Sequence, residues 1–175
     1  MSKERGNSIR LRKPYFTNIR LKIREVIMTK IRIEKLKKEE YQEVVDVWEA
    51  SVRATHDFLK EEDIEYFKPL ILNTYLDAVD LRCVRNEKEE IIGFSGVADG
   101  NLEMLFIHPA VRGNGIGKVL LEYLIKEQKV TKVDVNEDNK QAVGFYEQFG
   151  FITYERSELD SSGKPYPILH MKLEE

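Results

Sequence analysis

The stretch from Val111 to Glu127 begins as a glycine-rich turn and continues directly into the pattern of an amphipathic helix. Glycines occupy three alternate positions in the turn, Gly113, Gly115 and Gly117. Glycine has no side chain to keep a ligand away from the backbone, and the unpaired N–H groups at the start of a helix attract an anion. The spacing therefore predicts a site for a pyrophosphate group, and the alternative interpretation is a glycine-rich connector that binds nothing.

Two widespread nucleotide-binding patterns do not match this turn. The dinucleotide fingerprint requires a third glycine at the position where the sequence has Lys118. A P-loop requires a glycine at the position of Arg112 and a serine or threonine at the position of Val119. The pyrophosphate must therefore belong to a ligand of another class.

The residues before the turn predict one strand, two helical segments and three further strands. Residues 30–36 alternate apolar and polar side chains like a half-buried strand. Apolar side chains then recur at helical spacing, namely Tyr41, Val44, Val45, Trp48 and Val52. A second helical segment covers residues 61–79, where Pro69 should kink or divide it because proline lacks the N–H donor. Residues 81–109 predict three strands in an antiparallel meander, with an Asp-Gly pair in one tight turn.

The residues after the turn predict the remaining helices and strands. The first helix buries apolar side chains at helical spacing, namely Ile116, Leu120, Tyr123 and Leu124. The second covers residues 137–150, with Asp138 or Asn139 as its N-cap and Gly150 as its left-handed end. Three strands complete the pattern, at residues 131–137, 151–160 and 167–174. The predicted order is βααβββαβαββ, which is a mixed α/β protein.

The bulk composition is typical of one soluble domain. A chain of 175 residues with 42% hydrophobic residues is long enough to bury a single core. Its apolar runs are far shorter than the roughly 20 residues of a membrane-spanning helix, and no secretory signal pattern is visible. The single cysteine, Cys83, excludes an internal disulfide and is expected in the core. These features predict a cytoplasmic protein that does not engage a membrane.

Charge is distributed unevenly along the chain. Residues 1–27 carry eight Lys or Arg and two Glu, a net +6, so the other 148 residues carry −9 of the total −3. The basic residues are interpreted either as an arm for an acidic partner or as an extension upstream of a domain that begins at Met28. Because phosphate binding needs clustered positive charge, the acidic remainder argues against nucleic acid as the main partner.

Two motifs of the chain together resemble those of the GNAT family of N-acetyltransferases. VRGNGIGKVLL is similar to the family's acetyl-CoA pattern, Q/R-x-x-G-x-G/A, beginning at Arg112 and meeting glycine at Gly115 and Gly117. NEDNKQAVGFYEQFGF is similar to the family's second conserved element, N-x-x-A-x-x-x-Y-x-x-x-G-F. Its members here are Asn139, Ala142 or Val143, Tyr146, Gly150 and Phe151, with Phe145 beside the tyrosine.

The resemblance covers about residues 29–173 and leaves the basic residues unexplained. Within the family, SVRATHDFL, LFIHPAVRGNGIG and the closing GKPYP are similar to the bacterial YjaB-type acetyltransferases. The resemblance implies the GNAT fold over residues 28–175, with a central, mostly antiparallel, twisted sheet of about seven strands flanked by about four helices. It also implies an enzyme that transfers the acetyl group of acetyl-CoA to a primary amine.

The resemblance further implies where acetyl-CoA binds. The backbone of Leu105, Phe106 and Ile107 would pair with the pantetheine arm like an added strand. An N–H group there would polarise the thioester carbonyl, an effect typically worth about 3 to 4 kcal/mol per donor. The pyrophosphate would lie on Arg112, Gly113, Asn114, Gly115, Ile116, Gly117 and Lys118. Asn139 would hold the far arm of the cofactor, act as a plain helix cap, or do both.

Two residues are candidates for proton transfer on the strength of the resemblance. Tyr146 would be the general acid, because a phenol of pKa about 10 is protonated at neutral pH and can protonate a departing thiolate. Glu103 would be the base that deprotonates the amine, since an alkylamine of pKa about 10.4 is almost fully charged at pH 7. The alternatives are a core tyrosine and a solvated strand residue. Asp134 and His108 are weaker rivals for the base, the first a solvent-facing residue and the second a turn residue in the alternative interpretation.

Three further residues are candidates for the acceptor pocket. His56 and Phe58 lie between the first two helical segments, where this family usually builds that pocket, and His56 is otherwise a hydrogen-bonded loop residue. Tyr166 would wall the same pocket from the last hairpin, or would simply stiffen a proline-flanked turn. No His or Cys cluster has metal-ligand spacing, and nothing is placed to activate Cys83 as a nucleophile, so we predict direct attack in a ternary complex without a metal.

The function therefore has a leading interpretation and two alternatives. The leading one is an acetyl-CoA-dependent N-acetyltransferase, monomeric or homodimeric, whose acceptor is a protein lysine or a small amine. The acidic domain favours a cationic acceptor through electrostatic steering. The first alternative is an acyl-CoA-binding regulatory module without turnover, which would not need Tyr146 or Glu103. The second, a nucleic-acid binder that uses residues 1–27, would lose its function when they are deleted.

Overall fold

The computed structural model describes residues 30–174, and the predictions for the basic residues 1–27 lie outside that range. Seven strands form one sheet in the order β1-β2-β3-β4-β5-β7-β6. The strands are β1 (Arg32–Lys35), β2 (Asp80–Arg85), β3 (Ile91–Ala98), β4 (Asn101–Ile107), β5 (Lys132–Asn136), β6 (Phe151–Ser157) and β7 (Ile168–Leu173). Neighbouring strands are antiparallel except β4 and β5, which are parallel. The predicted, mostly antiparallel sheet is confirmed.

Four α-helices accompany the sheet in the described part of the chain. They are α1 (Tyr41–Thr55), α2 (Glu61–Leu70), α3 (Ile116–Glu127) and α4 (Lys140–Glu147). Together with the strands they follow the predicted order βααβββαβαββ. The α3 helix follows the glycine-rich turn directly, as the opening motif indicated.

Pro69 lies inside α2, and the helix changes type just beyond it. The α-helix ends at Leu70, and the chain continues as a π-helical turn over Ile71–Tyr75 and a 3-10 turn over Leu76–Ala78. The N–H that Pro69 lacks would have bonded the carbonyl of Glu65, four residues earlier, and α2 continues across that gap to Leu70. The helical segment is therefore not divided at Pro69, and its helix type changes two residues later.

Three local signals in the sequence are confirmed by the backbone. Asp99 and Gly100 have φ values of 48° and 77°, as the tight hairpin between β3 and β4 requires. Of the two N-cap candidates for α4, Asn139 is the cap, because its side chain accepts a hydrogen bond from the N–H of Ala142. Gly150, with φ of 87°, adopts the left-handed conformation just after this helix.

Apolar side chains fill both faces of the sheet. The core beneath α1 and α2 includes Val44, Trp48, Leu76 and Phe94. The core beneath α3 and α4 includes Leu102, Leu120, Leu124 and Met171. Cys83 is fully buried in the first core, as predicted, and burial raises the pKa of its thiol. The thiolate is the nucleophilic form, and a raised pKa lowers its population. This environment therefore agrees with a structural cysteine.

Strands β4 and β5 separate soon after they begin, which opens the sheet. Their pairing is limited to Asn101 with Lys132 and Leu102 with Val133. On the other side of β4, the register to β3 skips Glu103, which is therefore the extra residue of a β-bulge. A bulge bends its strand and locally increases the twist. The cleft between the two strands thus begins at the residue where β4 bulges.

Two features are absent from residues 30–174. None of the helices there is long and apolar enough to cross a membrane. No group of three or more His, Cys, Asp or Glu side chains in the same range is arranged to hold a metal ion.

Candidate active site

A cleft of about 860 Å³ runs from the glycine-rich turn along the opening between β4 and β5. Its volume lies within the range of sites for small molecules and cofactors. Of the residues predicted for cofactor binding, those on its wall are Leu105, Phe106, Ile107, Arg112, Gly113, Gly115, Ile116, Gly117, Lys118 and Asn139. Both predicted proton-transfer residues, Tyr146 and Glu103, line the same cleft. The structure therefore brings the two sequence motifs together around one cavity.

The glycine-rich turn presents a row of unpaired amides to this cleft. Gly113 and Gly115 have φ values of 79° and 86°, and Gly115 is the N-cap of α3. The first backbone bond of the helix runs from the N–H of Val119 to the carbonyl of Gly115. Among the described residues, the N–H groups from Gly113 to Lys118 have no backbone acceptor. Such a row at a helix N-terminus is suited to an anion.

Basic and polar side chains flank the row of amides. The Arg112 guanidinium donates to Gln141 Oε1 at 2.9 Å, which links the turn to the first turn of α4 across the cleft. Lys118 Nζ lies 5.6 Å from the centre of the Phe149 ring. Asn114 does not line the cleft with its side chain, because its Nδ2 donates back to the carbonyl of Val111 at 3.2 Å. Asn114 can therefore serve the site only through its backbone.

The edge of β4 that faces β5 is open over Leu105, Phe106 and Ile107. All three residues belong to β4 and line the cleft, and the β5 pairing has already stopped at Leu102. Their amides and carbonyls on that edge can pair with an extended ligand as a strand would. This arrangement fits the predicted seat of the pantetheine arm.

Tyr146 lies deep in the cleft and is 5% exposed. Its ring packs edge-on against Phe145 and Phe151, at centroid distances of 5.3 and 5.8 Å. Within residues 30–174 its hydroxyl has no hydrogen-bonding partner, so it is available to a ligand. Burial raises the pKa of Tyr146 above its usual value, which keeps the phenol protonated at neutral pH. The residue is thus both packed in the core and part of the cleft wall, a position that is compatible with either interpretation.

Glu103 is exposed at the far end of the cleft, where the bulge places it. Its Oε1 accepts a hydrogen bond from Asn101 Nδ2 at 2.7 Å. Its Oε2 has no partner in the described part of the chain. One carboxylate oxygen is therefore held in place while the other remains free to accept a proton.

Asp134, the first rival for the base, is not the solvent-facing residue of the alternative interpretation. It is half-buried and lines the cleft, and its Oδ1 accepts a hydrogen bond from His170 Nδ1 at 2.6 Å. Val133 and Val135 turn toward the core, so Asp134 projects from the opposite face of β5. By contrast, the other rival base, His108, caps a short turn through Nδ1, which accepts from the N–H of Ala110 at 3.3 Å. His108 is therefore the turn residue of the alternative interpretation.

His56 lines the cleft as a neutral imidazole. Thr55 Oγ1 donates to the carbonyl of Ser51 at 2.8 Å and lies 2.8 Å from His56 Nδ1, so Nδ1 must carry the hydrogen. His56 Nε2 then presents a lone pair, 3.5 Å from Asn139 Nδ2. Burial, assisted by the charge of Arg112, lowers the pKa of His56 to about 4. This side chain can accept a hydrogen bond inside the cleft at physiological pH.

Phe58 and Tyr166 lie behind His56 and are not among the residues that line the cleft. The ring centroids are 5.0 Å apart for His56 and Phe58, and 6.2 Å apart for Phe58 and Tyr166. Asp63 of α2 accepts hydrogen bonds from the Tyr166 hydroxyl and, at 2.5 Å, from Lys164 Nζ. Tyr166 therefore anchors the β6–β7 loop. This position agrees with the interpretation in which Tyr166 stiffens the proline-flanked turn.

Comparison with known proteins identifies the family. A model of the acetyltransferase (GNAT) domain matches residues 38–174. The chain is 40% identical over 141 residues to the peptidyl-lysine N-acetyltransferase YjaB of Escherichia coli (strain K12), covering 81% of this chain and 95% of that protein. The solution structure of apo-form YjaB from Escherichia coli has a TM-score of 0.75, covering 81% of this chain and 96% of that one.

A more distant structure has the same fold. The PaiA N-acetyltransferase from Thermoplasma acidophilum, crystallised in complex with coenzyme A, is 21% identical, with a TM-score of 0.60. It covers 82% of this chain and 99% of its own. The fold, the cleft and these matches define an N-acetyltransferase. The chain belongs to the GNAT family of acetyltransferases, and the match extends over nearly the whole length of its E. coli relative.

Sequence reasoning missed several residues of the cleft. Gln141 and Phe149 lie within the second motif but outside its named positions, and they reach the cleft because α4 borders it. Asn101 and His170 carry no motif at all. Both contact Asp134 from a neighbouring strand, so only the strand register brings them to it.

Proposed function

We propose that this protein transfers the acetyl group of acetyl-CoA to the side-chain amine of a lysine in a protein, by direct attack in a ternary complex. The observation that carries the proposal is the single cleft that connects the free amides of the turn, the open edge of β4 and the carboxylate of Glu103. The lysine acceptor is supported by the 40% identical relative, which is a peptidyl-lysine N-acetyltransferase. The net charge of −9 beyond residue 27 also favours a cationic acceptor.

Acetyl-CoA fits the residues of the cleft. The row of amides from Gly113 to Lys118, with Arg112 beside it, suits the pyrophosphate. The open edge of β4 suits the amide groups of the pantetheine arm, and Tyr146 lines the same cleft. Asn139 is a helix cap whose Nδ2 still faces the cleft, so both of its predicted roles are compatible.

The reaction assigns one proton transfer to each candidate residue. Glu103 Oε2 takes a proton from the lysine ammonium, and the neutral nitrogen then attacks the acetyl carbonyl carbon. A C–N bond forms, the C–S bond breaks, and the departing thiolate receives a hydrogen bond and then a proton from Tyr146. The nitrogen loses a second proton to water as it becomes an amide, and Tyr146 regains a proton from water. Because burial raises the pKa of Tyr146, this residue acts mainly as a donor that stabilises the thiolate until the proton moves.

The first test is a thermal-shift titration of the full chain with acetyl-CoA, beside NAD and ATP. A ligand at 100 times its Kd stabilises a protein by about 2.7 kcal/mol, which for a chain of this size raises Tm by about 5 to 10 °C. We expect this rise with acetyl-CoA and none with NAD or ATP. No shift up to millimolar acetyl-CoA would contradict the proposed cofactor.

A second assay separates an enzyme from a binding module. Acetyl transfer to lysine peptides, measured with free spermidine as a parallel acceptor, distinguishes a protein acceptor from a small polyamine. A protein that binds acetyl-CoA but acetylates neither would support the regulatory module without turnover.

The glycine-rich turn offers a matched pair of variants. Ala at Gly115 must adopt a φ of 86° with nothing within 4 Å of its Cβ, and Ala at Gly163 meets the same conditions at a φ of 76°, outside the cleft. Each change should cost about 1 kcal/mol of folding free energy. We expect Gly115→Ala, but not Gly163→Ala, to weaken acetyl-CoA binding about tenfold in a calorimetric titration. Equal affinities in the two variants would remove the turn from the site.

A further inference from the structure

Asn101 holds two carboxylates on one nitrogen at the far end of the cleft. Its Nδ2 donates to Glu103 Oε1 at 2.7 Å and to Asp134 Oδ2 at 3.1 Å. Both carboxylates line the cleft, and the parallel pairing of β4 with β5 next to Asn101 brings them together. Two carboxylates that lie close enough to share one nitrogen donor can also share a second nitrogen donor that enters the cleft. A lysine ammonium suits that position because it has three N–H donors.

The orientation of the Asn101 amide is fixed by these carboxylates. Its Oδ1 is buried and has no hydrogen-bonding partner among residues 30–174. Rotating the amide by half a turn would place this oxygen against two carboxylate oxygens, which also lack hydrogens to donate. Leaving a buried oxygen unpaired costs free energy. Asn101 nevertheless keeps this orientation, because only this orientation lets Nδ2 donate to both carboxylates.

Asp134 is held from a second side by His170. His170 Nδ1 lies 2.6 Å from Asp134 Oδ1, and His170 Nε2 lies 2.8 Å from Ser157 Oγ. The two residues face each other directly in the register of β5 with β7. A carboxylate only accepts, so Nδ1 carries the hydrogen, and the Ser157 hydroxyl can rotate to pair with Nε2 in either protonation state.

The two carboxylates therefore have different surroundings. Both oxygens of Asp134 already accept hydrogen bonds from fixed donors. Glu103 is exposed, with Oε2 unpaired in the described part of the chain. Pairs of acidic groups in different environments commonly divide the work of binding and of proton transfer.

We propose that Asp134, oriented by His170 and Asn101, binds the ammonium group of the acceptor, while Glu103 removes its proton. Asp134 contributes a fixed negative charge and a hydrogen-bond acceptor, and it takes up no proton. Glu103 Oε2 receives the proton and returns it to water, to which it is exposed. His170 and Asn101 are positioning residues that act through Asp134. This inference rests on the proposed function and specifies how that function selects an amine.

The test compares Asp134→Asn with Asp138→Asn in steady-state acetylation of a lysine peptide. Asp138 is exposed, lies four residues away and does not line the cleft, so the two changes remove the same charge from the same region. We expect Asp134→Asn to raise KM for the peptide about tenfold or more, with kcat and the affinity for acetyl-CoA within about threefold. Asp138→Asn should leave KM for the peptide within about twofold.

A double-mutant cycle tests the positioning role of His170. His170→Ala should raise KM for the peptide several-fold, and His170→Gln, which can keep an N–H donor, should recover part of that change. In the Asp134→Asn background, His170→Ala should have no further effect on KM, because the group that it orients is already lost. If the role of His170 were purely structural, His170→Ala would lower Tm in both backgrounds. The effects of the two substitutions on KM would then be additive.

The outcomes separate this inference from the proposed function. If the wild type acetylates the peptide and Asp134→Asn has an unchanged KM for it, the inference is overturned. The proposed acetyltransferase function then still stands. A fall in kcat without a change in KM also overturns it, because Asp134 would then act in proton transfer. A wild-type chain that binds acetyl-CoA but acetylates no amine overturns both.

Discussion

Replacing Glu103 with Gln should lower kcat/KM for a lysine peptide at pH 7 by about 100-fold, within the usual range of proton-transfer catalysis. The deficit should shrink as the pH rises, because the free-amine fraction of an acceptor with pKa about 10.4 increases about tenfold per pH unit. Glutamine keeps an oxygen that can accept from Asn101, so the surroundings of the side chain are preserved. The measurement is the pH profile of kcat/KM for wild type and variant between pH 6.5 and 9.5 or so.

Glu147→Gln is the matched control for this experiment. Glu147 is exposed on α4 beside Tyr146 but does not line the cleft. The substitution therefore removes the same charge at a position away from the proposed reaction. Its profile should follow that of the wild type. A constant ratio between Glu103→Gln and wild type at every pH would mean that Glu103 does not accept the proton.

Tyr146→Phe should lower kcat by about 100-fold or more while the Kd for acetyl-CoA stays within a few-fold. The hydroxyl makes no hydrogen bond within residues 30–174, and the ring contacts with Phe145 and Phe151 do not require it. The variant should therefore fold normally, and the loss should fall on the chemical step. Single-turnover acetyl transfer together with calorimetric binding separates the two quantities.

Tyr66→Phe provides the corresponding control. This tyrosine is 48% exposed on α2, and it lies outside the cleft lining. It should retain wild-type turnover. If Tyr146→Phe also retained wild-type turnover, another donor would have to protonate the thiolate, and the assignment of Tyr146 would be wrong.

The fold was accessible from the sequence because its signals are local. The period of apolar residues, the Asp-Gly hairpin at residues 99–100 and the cap at Asn139 each act within a few positions, and each has the predicted geometry. Pro69 shows the limit of such reasoning. The missing N–H was evident, but the segment stays helical through Pro69 and beyond it, because its apolar side chains pack in the first core.

The site was predictable to the extent that it depends on backbone. The row of amides after Gly113 follows from glycine spacing, and the open edge of β4 follows from the resemblance to the family. Side-chain pairs between strands were not predictable. For Asp134, alternation left both a base and a solvent-facing residue open because it gives only the face of the strand, whereas the contacts with Asn101 and His170 depend on the register of three strands.

The pocket predictions show a similar division. His56 reaches the cleft, but Phe58 and Tyr166 form a second layer, since the hydroxyl of Tyr166 turns toward Asp63. The charge of Asp63 also holds Lys164 at 2.5 Å, and these two contacts lower the pKa of the Asp63 carboxyl. A loop anchored in this way is stiffened by its own ion pair, which sequence spacing of about 100 residues could not reveal.

The bulge at Glu103 joins two properties that an engineer would prefer to adjust separately. The pairing of β4 with β5 stops beside this extra residue, which leaves open the edge proposed for the cofactor, and the residue itself carries the carboxylate proposed as the base. Deleting that residue would restore regular pairing with β3 and remove the candidate base, while Leu102 and Met104, which already pair with adjacent residues of β3, would keep their faces. Changes of acceptor preference, in the laboratory or during evolution, must therefore arise from the surrounding loops and from β5 and β7, while the length of β4 stays constant.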